Sequence, residues 1–373
     1  MTTHLAAILP SKSTSLTLTS RPTPTPGPND LLIAVKSIAL NPADTIMRDT
    51  GLFIPSYPTV TGFDLSGLVL EVGTNVPNHF RPGITRIAAY SASVWKGCDP
   101  DYGAFQEKCL VPWQHAMPLP DEIDMISWNE AATLPVAVQV ALNAWERAGV
   151  MLEVGKSSTS MPKSMVRKQK KNEVLLVWGA SSSVGSVGVQ VARVLRDDPE
   201  TPVKAVYATA GAANHEYVRS LGADRLFDYR DSKVVDEIVE TAREDGCVIR
   251  HCFLAVGDVR MCQAVVGAFV GDFEGEKEVK AKIASAPIIP SDLEVVDGVE
   301  VIFVVPSMDD EEERLKQFQY WLGTWARENL ANRRIRPSPE LRVVGRGLHA
   351  INDGLDELEQ GVSCMKLVVE VAE

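Results

Sequence analysis

The residues best suited to chemistry in this sequence are the small ones of a short turn, residues 179–185 (GASSSVG). An apolar β-type run, residues 174–178, enters the turn, and apolar residues at helical spacing leave it over residues 184–195. Backbone N–H groups at such a strand-to-helix turn point towards a bound phosphate, and the helix dipole favours its negative charge. Large side chains would hold a phosphate away from the backbone. The stretch therefore predicts a dinucleotide pyrophosphate site. Serines replace the middle glycines of G-x-G-x-x-G, which leaves a structural strand–helix turn as the alternative.

The end of the next predicted strand decides which dinucleotide is expected. Sites for NAD carry a carboxylate there, about 20 residues past the turn, where it binds the ribose 2′-hydroxyl. Residues 208–214 (ATAGAAN), which close a strand predicted at 203–209, contain no acidic residue. Nothing in this segment repels a 2′-phosphate, so the sequence favours NADP over NAD.

Few other residues combine a catalytic type with a suitable sequence context. Asp44 follows Pro42 closely and is suited either to hold a ribose or a water or to cap a turn. His251, in an apolar strand, is a candidate general acid, although such histidines are more often packed and hydrogen-bonded. Tyr57 and Trp95 are candidates for the mouth of a substrate pocket or for core packing. No Ser-His-Asp or Cys-His arrangement has a supporting sequence context.

Length and composition predict a globular protein of two domains. A chain of 373 residues is too long for one ordinary core. The net charge of −12 argues against nucleic acid or an anionic membrane as the main partner. No apolar run approaches the roughly 20 residues that span a bilayer. The N-terminal residues do not resemble a secretory signal, and the 6 cysteines lack C-x-x-C spacing. These features predict reduced thiols and a cytoplasmic location.

The elements that position the turn are predicted to form two domains of different kinds. Residues 1–128 contain short strands broken by Pro and Gly, which is typical of a β-rich domain. From residue 174 onward strands and helices alternate, which indicates a parallel doubly wound sheet. An amphipathic helix is predicted at 311–330, and β-type sequence returns after it. We therefore predict one domain built from residues 1–128 and 311–373 around an inserted dinucleotide-binding domain of residues 129–310.

Seven short motifs follow one another in a fixed order. They are N-P-A-D at 41–44, Y-P-T-V-T-G-F-D-L-S-G at 57–67 with E-V-G at 71–73, G-A-F at 103–105, E-A-A-T-L-P at 130–135, L-G-A-D at 221–224, F-D-Y-R at 227–230 and V-S-C-M-K-L-V at 362–368. Together they resemble the medium-chain dehydrogenase/reductase superfamily over essentially the whole chain. The resemblance is closest to its zinc-independent quinone-reductase branch, which includes the fungal trans-acting enoyl reductases that serve polyketide synthases. It implies an α/β protein in which a Rossmann-type doubly wound parallel sheet is inserted in a GroES-like β-rich domain.

The resemblance also implies NADPH as hydride donor to a polarised C=C bond or a quinone, and a set of residues around it. Those residues are Ala43, Asp44, Thr45, Ile46, Val140, Ser181, Ser182, Ser183, Val184, Gly185, Gly211, Asn214, Arg219, Tyr229, Ala255, Ser363 and Cys364. Residues 211–214, Arg219 and Tyr229 would surround the 2′-phosphate. The alternative for Arg219 is an exposed helix residue, and for Tyr229 a half-buried packing residue.

Zinc members of the superfamily use a cysteine, a His-Glu pair and further thiols. Here Phe63-Asp64 stands at the His-Glu position, and no cysteine lies near Asn41. The segment that would hold a structural zinc has only Cys98 and Cys109. Four nitrogen or sulfur ligands cannot be assembled at sensible spacing, so we predict no metal. An enolate formed by hydride transfer would then be stabilised by hydrogen-bond donors or by water.

Three departures from the family pattern keep a second function open. Many relatives have a Tyr or Lys where this chain has Ile46, a Thr where it has Val140, and a Gly where it has Cys364. Ile and Val cannot donate a hydrogen bond or a proton. The alternative to a reductase is therefore a non-redox enzyme, an isomerase or cyclase, on the same scaffold.

The sequence leaves the partners open in kind and number. The substrate is predicted to be a small molecule or an enoyl chain bound to a carrier, with a polyketide synthase as a candidate partner. A third hypothesis is a non-catalytic subunit that docks through the basic stretch 155–172 or the acidic helix at 309–330. The basic stretch is otherwise a solvated loop. Monomer and homodimer are both compatible with the resemblance.

Overall fold

The computed structural model describes residues 2–120, 126–151, 171–272 and 280–371. The basic stretch 155–172 lies almost entirely outside these residues. The chain divides into two compact units, one made of residues 1–136 and 307–373 and the other of residues 137–306. We call the first the host unit and the second the inserted unit.

The strands of the described residues are numbered in chain order. They are β1 Thr3–Ile8, β2 Thr17–Pro22, β3 Asp30–Ala39, β4 Asp64–Val72, β5 Arg86–Tyr90, β6 Lys108–Pro112, β7 Ala116–Pro118, β8 Glu173–Trp178, β9 Val203–Thr209, β10 Arg225–Phe227, β11 Val248–Leu254, β12 Ala281–Ser285, β13 Val299–Phe303, β14 Glu340–Arg346 and β15 Met365–Glu370. The helices are α1 Pro42–Thr50, α2 Trp128–Ala132, α3 Pro135–Arg147, α4 Ser183–Asp197, α5 His215–Leu221, α6 Val234–Glu244, α7 Val259–Gly267, α8 Glu311–Phe318, α9 Arg327–Ala331 and α10 Ala350–Gln360.

The host unit is built on a sheet with the strand order β14-β15-β3-β4-β5-β7, and β6 also pairs with β3. Its pairs are antiparallel except for β14 with β15, which are parallel. Leu31, Ile33 and Val35 of β3 alternate into one core, and after an irregularity in register the alternation resumes at Ile38. A shift of one residue moves the following side chains to the opposite face of the sheet. The irregularity therefore keeps the apolar side chains of β3 on the face that packs against that core.

The inserted unit contains a parallel sheet with the strand order β10-β9-β8-β11-β12-β13. Numbered within the unit, this is the order 3-2-1-4-5-6 of the doubly wound dinucleotide-binding fold. The predicted fold class is confirmed. Helix α4 packs closely on the sheet because Gly188 has no side chain: a Cβ there would lie 2.6 Å from the Phe253 ring.

The long helix predicted at residues 311–330 is not a regular α-helix. Residues Gln319–Ala326 form a π-helix between α8 and α9. This segment carries Trp321 fully buried, beside Phe318 at a centroid separation of 5.7 Å. The hydrophobic period of the sequence predicts helix correctly here, but it does not distinguish a π turn from an α turn. Across the described residues, no helix is both long and apolar enough to span a membrane.

Candidate active site

The strand-to-helix turn of the inserted unit forms a close backbone cradle. Gly179 has φ 80°, and a Cβ on it would lie 2.5 Å from the carbonyl oxygen of Val256. A Cβ on Gly185 would lie 2.3 Å from the carbonyl oxygen of Gly179. Both positions therefore require glycine, since any side chain would collide with backbone. The two glycines bring the start of α4 directly onto the end of β8.

The three serines of this turn have different roles. Ser182 is the N-cap of α4: its Oγ accepts the N–H of Gly185 at 3.1 Å and donates to the carbonyl of Gly179 at 2.8 Å. Ser183 Oγ is buried and has no hydrogen-bond partner within the protein. Ser181 is half-buried. An unpartnered buried hydroxyl at the N-terminus of a 15-residue helix fits a bound phosphate, which would accept a hydrogen bond from it and lie at the positive end of the helix.

The far end of β9 has one arginine beside it and no carboxylate of its own. A Cβ on Gly211 would lie 3.0 Å from Nη1 of Arg230. The Arg230 guanidinium lies 5.2 Å from the centre of the Tyr229 ring, and both side chains are exposed. Asp228, between them and the loop, accepts the backbone N–H groups of Ala212 and Arg230. These hydrogen bonds hold the pKa of Asp228 below its usual range and fix the loop beside Arg230.

Arg230 is a functional candidate that sequence reasoning missed. It follows the Asp-Tyr of the F-D-Y-R motif, of which the resemblance places only the tyrosine at the cofactor, and nothing in the sequence places the arginine beside Gly211. Arg219 lies exposed in α5, and Asn214 is half-buried. Tyr229 and Arg230 therefore form an exposed aromatic and cationic surface beside Gly211, at the end of the second strand of the unit, where this fold binds the ribose of a dinucleotide.

A pocket of about 280 Å³ lies where β11 and β12 end. Its lining residues are Leu254, Gly257, Asp258, Val259, Ser285, Pro287, Ile288 and Pro290. The predicted site residue Ala255 is in the same segment and is buried. Crevices at the carboxyl ends of parallel strands are where open α/β sheets bind ligands, so this pocket lies at the edge of the sheet where a ligand is expected.

His251 is not brought to that edge. Its Nδ1 lies 3.4 Å from Oε2 of Glu173, the first residue of β8. The turn follows the last residue of β8, five residues or about 16 Å further along the strand. The neighbouring imidazole helps to hold the pKa of Glu173 below its usual range although burial opposes this. The geometry favours a packed His251 paired with Glu173 over a general acid.

The host unit places its predicted residues around a buried polar network. Nζ of Lys366 lies 2.6 Å from Oδ1 of Asn41 and 3.1 Å from Oδ2 of Asp64. Asn41 also donates its side-chain N–H to Asp64 Oδ2 at 3.0 Å and its backbone N–H to Asp44 Oδ2 at 2.8 Å. The second oxygen of Asp64 accepts the N–H of Val136 at 2.8 Å. The network joins β4, β15 and the starts of α1 and α3.

Burial governs the protonation of this network. Asp44 and Asp64 are fully buried, and Lys366 is 3% exposed. Desolvation raises the pKa of Asp44 to about 7, and the nearby Asp64 adds to the increase. Burial also raises the pKa of Asp64, although Lys366 opposes it. Asp64 faces the ammonium of Lys366 directly, whereas Asp44 accepts the backbone N–H of Asn41.

The remaining predicted residues of the host unit are close in sequence to members of this network. Ala43, Ile46 and Ser363 are exposed, and Thr45 is buried with its hydroxyl donated to the carbonyl of Pro42. Cys364 is half-buried with φ 50°, a left-handed conformation that explains why glycine is usual at this position. Burial raises the pKa of its thiol. In the inserted unit, Val140 is half-buried in α3.

Trp95 and Tyr57, the two candidate aromatics, are packed. The Trp95 ring lies 5.4 Å from Tyr90, 5.6 Å from His115 and 5.3 Å from Phe318, measured between centroids. Tyr57 is half-buried, and its hydroxyl has no partner within the protein. The structure therefore favours core packing for Trp95.

Phe63 and Asp64 occupy the place where zinc relatives have ligands. Phe63 is buried against Tyr90, with 5.7 Å between ring centroids, and both oxygens of Asp64 are engaged as described. In the described part of the chain no three His, Cys, Asp or Glu side chains come together as metal ligands would. That no metal binds remains a prediction.

Comparison with known proteins identifies the family. A model of the alcohol dehydrogenase GroES-like domain matches residues 27–121. The trans-enoyl reductase tndF of Aspergillus flavipes is 38% identical over 373 residues, which cover 98% of each chain. The trans-enoyl reductase tazE of Aspergillus terreus is 38% identical over 82% of this chain and 93% of its own. The chain belongs to the trans-enoyl reductases of the medium-chain dehydrogenase/reductase superfamily. The predicted resemblance is confirmed, and the protein is an oxidoreductase.

Solved structures place this trans-enoyl reductase in the same fold. A putative zinc-dependent alcohol dehydrogenase from Rhizobium etli matches 100% of the chain and 99% of its own with a TM-score of 0.73 at 20% identity. The CurK enoyl reductase matches 99% of each chain with a TM-score of 0.68 at 16% identity. At these identities the likeness is one of fold. Fold and family together imply a nicotinamide cofactor, and the turn at Gly179 and Gly185 fits its pyrophosphate.

Proposed function

We propose that this trans-enoyl reductase uses NADPH to reduce the C=C bond of an α,β-unsaturated acyl thioester made by a polyketide synthase. The observation that carries the proposal is the pairing of two features in the inserted unit. The glycine cradle at the start of α4 accepts a pyrophosphate, and Arg230 lies beside Gly211 where an NAD site has a carboxylate. Arginine binds phosphate through paired, charge-assisted hydrogen bonds, which supports NADP over NAD.

The residues of this chain bind and orient rather than take part in covalent steps. When bound, the nicotinamide supplies a hydride to the β-carbon of the enoyl group, which leaves an enolate at the thioester. The N-terminus of α4 and the hydroxyl of Ser183 hold the pyrophosphate. Tyr229 and Arg230 hold the adenosine end through ring contact and charge.

The proton that completes the reaction comes from solvent in this proposal. Ile46 and Val140 stand at positions where many relatives have proton donors or hydrogen-bond donors, and neither has an acidic hydrogen. Asp44 is fully buried inside the network of the host unit, where burial raises its pKa to about 7. Ile46 is 38% exposed, so water reaches its surroundings, and a water molecule can protonate the α-carbon of the enolate.

The family supports the substrate and the partner that we propose. The relatives tndF and tazE are named trans-enoyl reductases, and we infer the same reaction type here. A reductase that acts in trans meets its substrate on another protein, so a carrier-bound enoyl chain is the proposed form. A cytoplasmic location and reduced thiols remain predictions, as do the choice between monomer and homodimer and the absence of a metal.

The test is hydride transfer to a small mimic of a carrier-bound chain. Purified protein is mixed with NADPH or NADH and with 2-butenoyl-N-acetylcysteamine, a longer 2-enoyl thioester or a quinone, and absorbance at the nicotinamide wavelength is followed. NADPH deuterated at both C4 positions is used in parallel. We expect NADPH oxidation with an enoyl thioester and deuterium at the β-carbon of the product.

Two outcomes would contradict the proposal in different ways. Oxidation with quinones alone would identify a quinone reductase. Product formed without deuterium would favour the non-redox alternative, for which the apolar Ile46 and Val140 are the supporting observation.

A further inference from the structure

The buried network of the host unit contains a lysine that no functional prediction used. Lys366 lies in β15, in the last of the seven motifs, and is 3% exposed. Its ammonium contacts Asn41 Oδ1 at 2.6 Å and Asp64 Oδ2 at 3.1 Å. An ion pair this deeply buried costs desolvation energy that its attraction does not reliably return. The pair is therefore weak evidence for stability, and its position in the fold is the better guide to its role.

That position is the base of helix α1. Asn41 is the N-cap residue of α1, and its amide lies between Lys366 and Asp64 with both ends bonded. The backbone N–H of Asn41 is bound by the carboxylate of Asp44, in the first turn of α1. The chain of contacts thus runs from the ammonium through the Asn41 amide to the first turn of the helix. Residues 43–46, which the family pattern places at the nicotinamide and substrate, are in that turn.

The same network reaches a second segment of the proposed site. Asp64 Oδ1 accepts the N–H of Val136, in the first turn of α3, which continues to Val140. Cys364 is two residues before Lys366 in the same motif. The network therefore takes in one residue from each of the three segments that carry predicted cofactor contacts: Asn41, Val136 and Lys366.

We propose that Lys366 is a positioning residue that fixes the first turn of α1 through Asn41, and so sets the geometry of hydride transfer. This inference rests on the proposed reductase function. Lys366 is fully enclosed and reaches the reaction only through other residues. Small displacements of groups that orient a reaction can cost about 100-fold in rate without loss of binding.

The test distinguishes the effect of positioning α1 from the effect of balancing the buried charges of Asp64 and Lys366. Asp64→Asn/Lys366→Met removes both charges at nearly constant volume, so no unpaired ion stays buried. Asn41→Ala keeps the ion pair but breaks its link to α1. Lys108→Met, a half-buried lysine at the start of β6 in the same sheet, is the matched control. Each variant is assayed for the melting temperature, the NADPH dissociation constant and stoichiometry, kcat and KM for the enoyl thioester, and the isotope effect with deuterated NADPH.

We expect both network variants to lose about 10- to 100-fold in kcat per bound NADPH. KM and the NADPH dissociation constant should stay within about threefold, and the isotope effect should increase as the hydride step becomes limiting. A further variant, Lys366→Arg, keeps the positive charge and should have a kcat between those of the double variant and the parent. The control Lys108→Met should have the kcat of the parent. A kcat within twofold of the parent in Asn41→Ala would overturn the inference, even if its melting temperature falls.

Failure of the proposed function gives a different result. If the parent protein reduces no enoyl thioester, the reductase proposal fails, and the positioning role is decided by amide hydrogen exchange. Residues 42–50 should then exchange at least about tenfold faster in Asn41→Ala than in the parent and in Lys108→Met. Equal exchange in all three proteins would overturn the inference without any assay of activity. If the double variant fails to fold, Asn41→Ala alone decides.

Discussion

Replacing Gly211 by aspartate should shift the preference of this enzyme from NADPH towards NADH. Gly211 has φ −61° and ψ 143°, a conformation open to any residue, so the backbone accepts a side chain. The new Cβ would lie 3.0 Å from Nη1 and 3.4 Å from Cζ of Arg230. These atoms are the far end of a flexible side chain and can withdraw slightly. The carboxylate is then placed to pair with Arg230 and to bind a ribose 2′-hydroxyl.

The size of the effect follows from two contributions to NADPH binding. A hydrogen bond between charged groups is worth about 1.5–3 kcal/mol, and the lower end applies because Arg230 is exposed. Repulsion between the new carboxylate and a 2′-phosphate about 6 Å away adds about 1 kcal/mol in water. Since 1.4 kcal/mol is a factor of ten, Gly211→Asp should weaken NADPH binding about 50- to 100-fold. NADH, which has no 2′-phosphate, should bind as well as before or more tightly.

The assay is quenching of tryptophan fluorescence by NADPH and NADH at one fixed ionic strength. Gly211→Ala is the matched control, because it adds the Cβ without charge, and it should stay within about threefold of the parent for both nucleotides. Arg230→Gln removes the charge and should weaken NADPH alone by about tenfold. If Arg230→Gln binds NADPH as the parent does, the assignment of Arg230 to the 2′-phosphate is wrong.

Three further predictions concern stability and accessibility. Burial raises the pKa of Asp44 to about 7, so the folded state binds this proton more tightly than the unfolded chain does. The urea concentration at the unfolding midpoint of the parent should therefore decrease as the pH is raised from about 4 to 7, and that of Asp44→Asn should decrease less. An equal pH dependence in both proteins would refute the raised pKa. Gly188→Ala places a Cβ 2.6 Å from the Phe253 ring and should cost about 1–3 kcal/mol of the free energy of unfolding, measured in urea; an unchanged midpoint would contradict this packing. Cys364 is half-buried and the other cysteines are buried, so a small alkylating reagent should modify about one thiol per native chain, and none in Cys364→Ser.

The sequence predicts those parts of the fold and the site that depend on neighbours along the chain. The strand β8, its small-residue turn and α4 form one local unit, so hydrophobic period and residue size suffice to locate the cradle. The missing carboxylate after β9 is also a local observation. What the sequence does not predict comes from contacts across the fold. Asp64 and Lys366 are separated by 302 positions, and no period relates them.

Arg230 and His251 both show this limit of sequence-based prediction. The sequence does not reveal that Arg230 is near the site, and it suggests a role for His251 that its position does not support. Arg230 is beside Gly211 because the strand after α5 returns next to β9, and only the sheet order reveals this. His251 has a catalytic residue type in a strand that does reach the site, but its ring pairs with Glu173 at the opposite end of β8. A strand brings only its last residues to the carboxyl edge, so membership of the right strand is not sufficient evidence for a role.

The division into a continuous and a discontinuous unit has a consequence for synthesis in the cell. The inserted unit is one stretch, residues 137–306, and all its strands have been made before the host unit has β14 and β15. Strand β15 lies between β14 and β3, inside the host sheet. At about 5–20 residues per second, the ribosome takes about 15 to 60 s to travel from Asp64 to Lys366. During that interval the nascent chain contains the Asp64 carboxylate of the core without the ammonium of Lys366. The host sheet therefore closes late, and chaperones have time to bind the nascent chain before it does.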